Sequence, residues 1–384
     1  MRLRKNKNDS FFHPFEIAFC GFSNSGKTTL ISKIIKNLSR EFDIGYLKHD
    51  AHKFQMDKPG KDTATMSDSG AKSVLINDEA HFANIEHSSL EQFDVMMKMS
   101  DMDFLFIEGH KFSKLPKLVL LSSQSNFDET IKLIKEGEIS DVMGIITDIE
   151  NAEEIFENKY PIFNRDNIDS ISNFILSYFK EKMPTKINGL ILTGGKSERM
   201  KEDKGALNYH GEQNQIEHSQ ELLSSICDEV YVSCRKDQLS EPFLKNQKTI
   251  TDSFPSVGPT TGILSAQFFD PNAAWLVLAC DLPYLNLETI EHLKKNRNSF
   301  KLATAFINPK RNWPEPLCTI YEPKSYQKLM KYFSVNKPCP RKVLFNSNIE
   351  SLEMITLNAL DNVNTPKERE EALEYINKGK ADES

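Results

Sequence analysis

No apolar run in this sequence approaches the ~18 residues needed to cross a bilayer as a helix, and its six cysteines contain no Cys-x-x-Cys pair. The first absence excludes a membrane span of the helical kind. The second argues against a disulfide framework: Cys20, Cys227, Cys234, Cys280, Cys318 and Cys339 are scattered, several within strand-like apolar runs, which suits reduced, buried thiols. The opening MRLRKNKNDSFFHPF is basic but lacks the continuous apolar core and small-residue cleavage site of a signal peptide, so a cytoplasmic protein is expected. Its Arg2, Arg4, Lys5 and Lys7 read most simply as a solvated end. Positive charge is not in excess. A formal net charge of −7 argues against a general nucleic-acid binder. No internal repeat or low-complexity tract stands out.

What is present is the composition of a soluble globular protein, 39% hydrophobic and 27% charged. At 384 residues the chain exceeds what one ordinary core supports, so two domains are expected. Short β-branched and apolar runs alternate with helical stretches throughout, the pattern of parallel α/β sheets. The first half carries FEIAFCGF, DIGYLKHD, SVLIND, DFLFIEGH, KLVLLSS and VMGIITD; the second carries INGLILTGG, EVYVSC, KTITD, AAWLVLACD, LATAF and LCTIY. Between them FKEKMPTK is polar and holds Pro184, which marks a join. The expected layout is a disordered basic tail over 1–13, a domain over 14–180, a linker over 181–186, a second domain over 187–376 and a disordered tail over 377–384. The halves share a fold class without detectable sequence similarity, so they read as a fusion of different proteins, not a duplication.

The stretch GFSNSGKTT, directly after the strand EIAFC, has Gly21, Gly26, Lys27 and Thr28 at the spacing of a Walker A loop, with Ser25 and Thr29 beside them. Glycines let backbone N–H groups close around phosphates at a helix N-terminus, the lysine neutralises β/γ oxygens, and the Thr28 hydroxyl suits Mg²⁺. Leu30, Ile31, Ile34, Ile35 and Leu38 then form an apolar stripe at helix spacing. The acidic partner should stand at the loop end of a strand. Glu108 ends DFLFIEGH, whereas Asp103 begins it, so Glu108 is the expected metal ligand. His49 and His52 lie in a loop rich in His, Asp and Lys, but no nearby ligand completes a metal set and His81 and His87 are distant, so loop histidines near phosphates is the plainer reading. Asp50 or Asp62 could serve as a second acid there.

A second glycine loop, LTGGKSERMKEDKG, follows the strand INGLIL but does not have Walker A spacing. Gly194 and Gly195 would let the backbone approach a triphosphate, with Arg199 and Lys204 adding positive charge. Standing alone it could be an ordinary strand-to-helix turn. Its company argues otherwise. The most apolar strand of this half delivers Asp281, a carboxylate suited to Mg²⁺ facing phosphates, and TDSFPSVGPTTGILSA supplies Asp252 at a strand end and a second glycine turn, Gly258 and Gly262, that could approach a base or ribose closely.

Two family resemblances follow from these stretches. GFSNSGKTTLISKII, GYLKHDAHKFQMDKPGKDT, SGAKSVLI and DFLFIEGHKFSKLPKLVLL resemble MobB, the GTP-binding accessory protein of molybdenum cofactor biosynthesis, over roughly residues 14 to 180. LTGGKSERMKEDKGAL, TDSFPSVGPTTGILSA, LACDLPYL and NVNTPKE resemble MobA, molybdenum cofactor guanylyltransferase, over about 187 to 375. The resemblance implies an N-terminal P-loop NTPase that binds and slowly hydrolyses GTP, and a C-terminal Rossmann-like doubly wound nucleotidyltransferase. That second half would use Mg²⁺ and transfer GMP from GTP to molybdopterin. It further implies that Leu192, Thr193, Gly194 and Gly195 line the guanine and phosphate site, with Arg199 and Lys204 on the phosphates. Asp252, Gly258 and Gly262 would recognise the nucleoside and Asp281 would hold Mg²⁺. Arg341, Asn362 and Asn364 would face the pterin, and molybdenum-insertion enzymes and recipient molybdoenzymes would be partners. The sequence departs from the family in Lys201, where glycine is usual, in Thr193, where alanine is usual before the two glycines, and in Glu315, where His-Pro is frequent. Rival readings are a transferase using CTP or a sugar phosphate, and a GTPase adaptor whose second half only binds nucleotide.

Overall fold

The structure, a computed structural model, describes residues 15–22, 25–48, 60–123, 127–193, 204–255 and 257–382. The chain divides into two compact units, the first mainly from residues 16–172 and the second mainly from residue 173 onward. In the first unit the chain runs through β1 (Phe15–Cys20), α1 (Lys27–Leu38), β2 (Ile44–Lys48), α2 (Asp62–Asp68), β3 (Ser73–Asn77), β4 (Phe82–Glu86) and α3 (Gln92–Met99). It continues through β5 (Phe104–Glu108), β6 (Lys117–Leu121), α4 (Phe127–Lys135), β7 (Val142–Thr147), α5 (Ala152–Ile155), β8 (Ile162–Asn164) and α6 (Ile168–Lys180), the helix in which the units change over. Among the described residues six of these strands form one sheet in the order β2-β5-β1-β6-β7-β8. The chain goes from β1 to one flank and then crosses to β6 on the other, so a topological switch point lies at the carboxyl end of β1. β5 and β6 are buried at every position, as parallel strands covered on both faces must be. On α1 the stripe Leu30, Ile31, Ile34 and Leu38 is buried, which ties the helix to the sheet.

SVLIND does not join that sheet as its sequence suggests. It is β3, paired antiparallel with β4 in a separate two-stranded ribbon. The reason is local: the Asp78 carboxylate accepts the backbone N–H groups of Ala80 and His81 at 2.7 and 2.6 Å, closing a tight turn that sends the chain straight back. Leu75 and Ile76 remain exposed on it.

The second unit contains β9 (Ile187–Leu192), β10 (Asn208–His210), β11 (Gln213–Asn214), α7 (Gln215–Ser224), β12 (Glu229–Cys234), β13 (Thr249–Thr251), α8 (Pro259–Phe269) and β14 (Ala274–Ala279). There follow α9 (Leu287–Lys295), β15 (Ala303–Asn308), β16 (Trp313–Tyr321), α10 (Ser325–Ser334), α11 (Pro340–Phe345), β17 (Glu350–Leu352) and α12 (Pro366–Asp382). Its sheet has the order β13-β12-β9-β14-β16-β15-β17, with a switch point between β9 and β14. It is mixed, not wholly parallel, because LCTIY lies in β16, which pairs antiparallel with both β14 and β15. Every residue of β9 and β14 is buried, and Trp275 is wholly so. Arg297 grips Glu322 through two bonds of 2.7 and 2.8 Å and gives others to the Pro184 and Thr185 carbonyls, so this buried pair holds the start of the unit. α12 stays helical to Asp382, past residue 376 where the sequence suggested a disordered tail. The described cysteines are all free thiols, and burial pushes Cys20 up to about 11 and Cys318 up to about 12, far from reactive thiolates. No helix among the described residues is long and apolar enough to cross a membrane.

Candidate nucleotide sites

At the switch point of the first unit, β1 is followed by Gly21, where an added Cβ would stand 2.7 Å from the Leu120 carbonyl and 2.9 Å from Ser25 Oγ. Only glycine fits so close a pass. Gly26 caps α1 with φ of +85°, and a Cβ there would meet an Arg165 guanidinium nitrogen at 2.5 Å. Lys27 folds back over its own loop, donating to the carbonyls of Gly21 at 3.1 Å and Phe22 at 2.5 Å. Burial pulls its ammonium pKa down, against the opposing pull of Glu108. Thr28 Oγ1 donates to both Glu108 oxygens, at 2.9 and 3.1 Å, and Tyr46 donates to Oε2 at 2.6 Å. Glu108 itself is buried, with Lys48 Nζ at 3.9 Å. Burial first, and then the bond to Glu108, push the Tyr46 phenol well above its ordinary pKa. Ser25 is buried with its hydroxyl oxygen unpartnered among the described residues, while Thr29 is exposed.

Tyr46, Lys48, Arg165 and Asp148 were not singled out from sequence. Arg165, just after β8, lies 3.5 Å from Asp148, just after β7, so the guanidinium beside Gly26 is held by a carboxylate. Burial would raise Asp148, but the Ser123 N–H at 2.8 Å and Arg165 outweigh it and hold the carboxyl below its usual range. The strand-end aspartate of VMGIITD was visible; a three-residue β8 was too short to show where Arg165 would stand. His49, Asp50 and His52 lie outside the described residues. Asp62 opens α2 on the surface, and among the described residues no three His, Cys, Asp or Glu side chains group as a metal centre.

In the second unit, parallel strands β13, β12, β9 and β14 present their carboxyl ends along one edge. Leu192 ends β9 in the core, and buried Thr193 donates from Oγ1 to the Ser233 carbonyl at 2.9 Å, pinning the start of the glycine loop to β12. Gly194, Gly195, Arg199 and Lys201 lie outside the described residues; Lys204 opens a 3-10 turn over Lys204–Ala206. Asp252 follows β13, and burial raises its carboxyl although Arg235 pulls the other way. Gly258 caps α8 at φ of +89° and ψ of −158°, with nothing near where a Cβ would project. Gly262 is not in the turn. It sits inside α8, where a Cβ would meet Ser233 Oγ at 2.5 Å and Leu192 Cδ2 at 2.7 Å, so its absence of a side chain lets the helix lie close on β9 and β12.

Asp281 leaves β14 at this edge. Its Oδ1 accepts from the Asn362 amide at 2.9 Å and its carbonyl from the Val363 N–H at 3.1 Å, so two sequence-distant candidates meet. Asn364 serves the entry to α12: its N–H and that of Thr365 donate to Glu368 at 2.6 and 3.0 Å. Arg341, near the start of α11, lies 3.6 Å from Glu315 and over the Trp313 ring at 4.9 Å. Sequence reading missed the support beneath Asp281, where His210 Nε2 pairs with the Pro283 carbonyl at 2.9 Å and Gln215 reaches the Leu282 carbonyl at 3.3 Å.

A phosphate loop at one switch point and a strand-end carboxylate at the other define a P-loop nucleotide-binding unit followed by a unit of the nucleotidyltransferase type. Comparison with known proteins sharpens both. Residues 16–148 match the family "Molybdopterin guanine dinucleotide synthesis protein B", and residues 189–347 match the "MobA-like NTP transferase domain". A molybdenum cofactor biosynthesis bifunctional protein of Synechocystis is 36% identical over 48% of this chain and 53% of its own length. A molybdopterin-guanine dinucleotide biosynthesis adapter protein of Haemophilus influenzae is 34% identical over 27% of this chain and 61% of its own. A probable molybdenum cofactor guanylyltransferase of Clostridium perfringens is 31% identical over 39% of this chain and 73% of its own. The chain thus spans about half the length of the Synechocystis relative. Among solved structures, molybdopterin-guanine dinucleotide biosynthesis protein A from Archaeoglobus fulgidus aligns at 23% identity and TM-score 0.42, over 50% of this chain and 99% of that one. Through its second unit the chain belongs to the MobA-like family of molybdenum cofactor guanylyltransferases, and its first unit is similar to MobB.

Proposed function

We propose that the second unit transfers GMP from GTP to the terminal phosphate of molybdopterin, giving molybdopterin guanine dinucleotide and pyrophosphate, and that the first unit binds GTP and hydrolyses it slowly as an adaptor. The observation that carries the reading is Asp281, held by Asn362 and the Val363 N–H at the edge where β9 releases its glycine loop. The phosphate oxygen of the acceptor attacks the α-phosphorus, and the bond to the β-phosphate oxygen breaks. That nucleophile is already an anion, so no side-chain base or covalent intermediate is required. Lys204 and Arg199 neutralise the phosphates, Thr193 anchors their loop, and Asp252 with the cap at Gly258 faces the nucleoside.

The donors at both sites are hard oxygens of the kind Mg²⁺ takes: the Thr28 hydroxyl and Glu108 carboxylate converge in the first unit, and Asp281 stands in the second. Each site holds one carboxylate, and among the described residues no three His, Cys, Asp or Glu side chains group together; nucleotide phosphates would complete the coordination of the ion. When bound, Mg²⁺ would neutralise charge on the transferring phosphoryl group. Leu192, Gly194, Gly195, Arg341 and Asn364 complete the proposed pocket, Gly262 sets its helix close, and Gly21, Ser25, Gly26, Lys27 and Thr29 form that of the first unit. Molybdenum-inserting enzymes and recipient molybdoenzymes in the cytoplasm are the expected partners.

The test is pyrophosphate release by the full chain with Mg-GTP and molybdate-loaded molybdopterin, run beside CTP. Release with GTP alone is expected. Release with CTP instead makes this a cytidylyl transferase, and phosphate without pyrophosphate leaves only the first unit active.

A further inference from the structure

The hairpin of β10 and β11 joins the two ends of the proposed transfer site. From the turn that carries Lys204 the chain passes through Leu207 into β10, reverses at Gly211 with φ of +74°, and enters α7 at Gln215. The Gln215 N–H closes the hairpin on the Leu207 carbonyl at 2.8 Å. Leu207 and Tyr209 are buried in a small core with Val363 and Ala372. Val363 is also the residue whose N–H donates to the Asp281 carbonyl at 3.1 Å. His210 turns to the opposite face of β10 and meets the Pro283 carbonyl at 2.9 Å. One short strand thus grips the Asp281 loop from both sides.

Three successive carbonyls of that loop are each fixed by a different donor. Val363 holds Asp281, the Gln215 side chain reaches Leu282 at 3.3 Å, and His210 holds Pro283, which is buried. A carbonyl only accepts, so His210 Nε2 carries the proton and donates it. The ring cannot turn freely, because it lies on that of His218 with centres 3.7 Å apart and planes 19° apart. His218 follows Gln215 by three positions on α7, so both side chains leave the same side of that helix. The helix therefore supplies one donor itself and aims the other. A backbone pinned at residues 281, 282 and 283 leaves the Asp281 carboxylate little room to be re-aimed.

We propose that His210 is a positioning residue of the transfer reaction: its Nε2–H, aimed by the stack on His218, fixes the Pro283 carbonyl and so holds the Asp281 carboxylate in line with the loop that carries Lys204. It acts on the alignment of the reacting groups and not on the affinity for nucleotide. The inference rests on the reading of Asp281 given above, but metal binding tests it apart from turnover.

The test compares His210→Phe, which keeps a ring for His218 but has no donor, with His210→Gln, whose amide N–H can stand where Nε2–H does. In the full chain with Mg-GTP and molybdate-loaded molybdopterin, His210→Phe should lower kcat for pyrophosphate release at least about tenfold with the KM for GTP within about twofold. His210→Gln should recover to within about threefold of the wild type. A merely structural histidine would lower the unfolding midpoint of both variants and leave kcat of the folded protein unchanged. Mn²⁺ gives the second readout, titrated into the GTP-saturated chain and followed by electron paramagnetic resonance. The ion lost in Asp281→Ala marks the second unit; His210→Phe should weaken that ion about tenfold, His210→Gln should not, and any other bound ion should keep its affinity. An unchanged kcat in His210→Phe, a Gln variant no better than the Phe variant, or a Mn²⁺ affinity indifferent to His210 would each overturn the proposal. If the wild type releases no pyrophosphate while the Mn²⁺ pattern holds, the reaction is lost and the positioning role stands; release that is insensitive to His210 does the reverse. If Asp281→Ala loses no ion, both fall.

Discussion

The loop after β1 and the edge after β14 occupy equivalent places, each at the switch point of an open sheet, yet they are built on different plans. The first is nearly self-contained. Gly21, Gly26, Lys27 and Thr28 supply the glycine passes, the cation and the hydroxyl within eight residues, and Glu108, Tyr46, Lys48 and Arg165 come from elsewhere. Its polar groups already hold partners within the protein, with Lys27 on loop carbonyls and Thr28 on Glu108, so a nucleotide must exchange these contacts for its own. The second is assembled from segments as far apart as Leu192 and Asn364, and its carboxylate is oriented by an asparagine 81 residues further along the chain. A local site tolerates change around it; a dispersed one depends on the packing that brings its strands and helices into line.

The sharpest way to break this contrast is at Asp281. Asp281→Ala should lower guanylyl transfer at least about 10³-fold while the thermal unfolding transition persists, because Asn362 is exposed and its amide can turn to water. Substantial remaining turnover would remove Asp281 from the chemistry. At the self-contained site, Lys27→Ala should cost about 3 kcal/mol of nucleotide binding, roughly two orders of magnitude. Calorimetry would then count one GTP per chain where the wild type takes two, and an unchanged count would mean that the first unit does not hold nucleotide through this lysine.

The same contrast governs what could be read from sequence. A Walker A loop is legible because its requirements fall within eight residues and follow from backbone geometry alone. Glu108 was legible for a related reason, since a carboxylate at the carboxyl end of a buried strand has one place to point. Arg165 was not, because its position beside Gly26 depends on β8, a strand too short to register as a pattern. β3 misled for the opposite reason: SVLIN has a strand's composition, and only the Asp78 turn decides its partner. In the second unit Asp281 and Asn362 could be named separately, but their hydrogen bond is a product of tertiary packing. Gly262 looked like a turn glycine beside Gly258 and is instead a contact between helix and sheet.

Those two glycines give the next test. Gly262→Ala forces a Cβ against Ser233 and Leu192 and should destabilise the second unit by about 1–3 kcal/mol through overpacking. Gly258→Ala meets no neighbour but must hold a backbone conformation nearly reserved for glycine, at a cost of about 1–3 kcal/mol. Urea unfolding alone cannot separate them, but adding Ser233→Ala can. Removing that hydroxyl should recover part of the loss from Gly262→Ala and none from Gly258→Ala. Equal recovery would show that α8 is not fixed by close packing at Gly262.

The smallest effect lies at Tyr46 and concerns pH. Its phenol is raised by burial and by donating to Glu108, so the folded state holds that proton more tightly than the unfolded chain does. The stabilisation is fully present below the ordinary tyrosine pKa of about 10 and is lost as pH climbs from there toward the raised value. Tyr46→Phe removes the hydrogen bond and should cost about 1 kcal/mol at neutral pH. It also removes the proton, so the variant should lose stability less steeply than the wild type above pH ~10, and the two curves should converge. Unfolding midpoints of the first transition, followed from pH 8 to about 11, check both the offset and the slope. Parallel curves would mean that Tyr46 gives up its proton as easily in the fold as out of it.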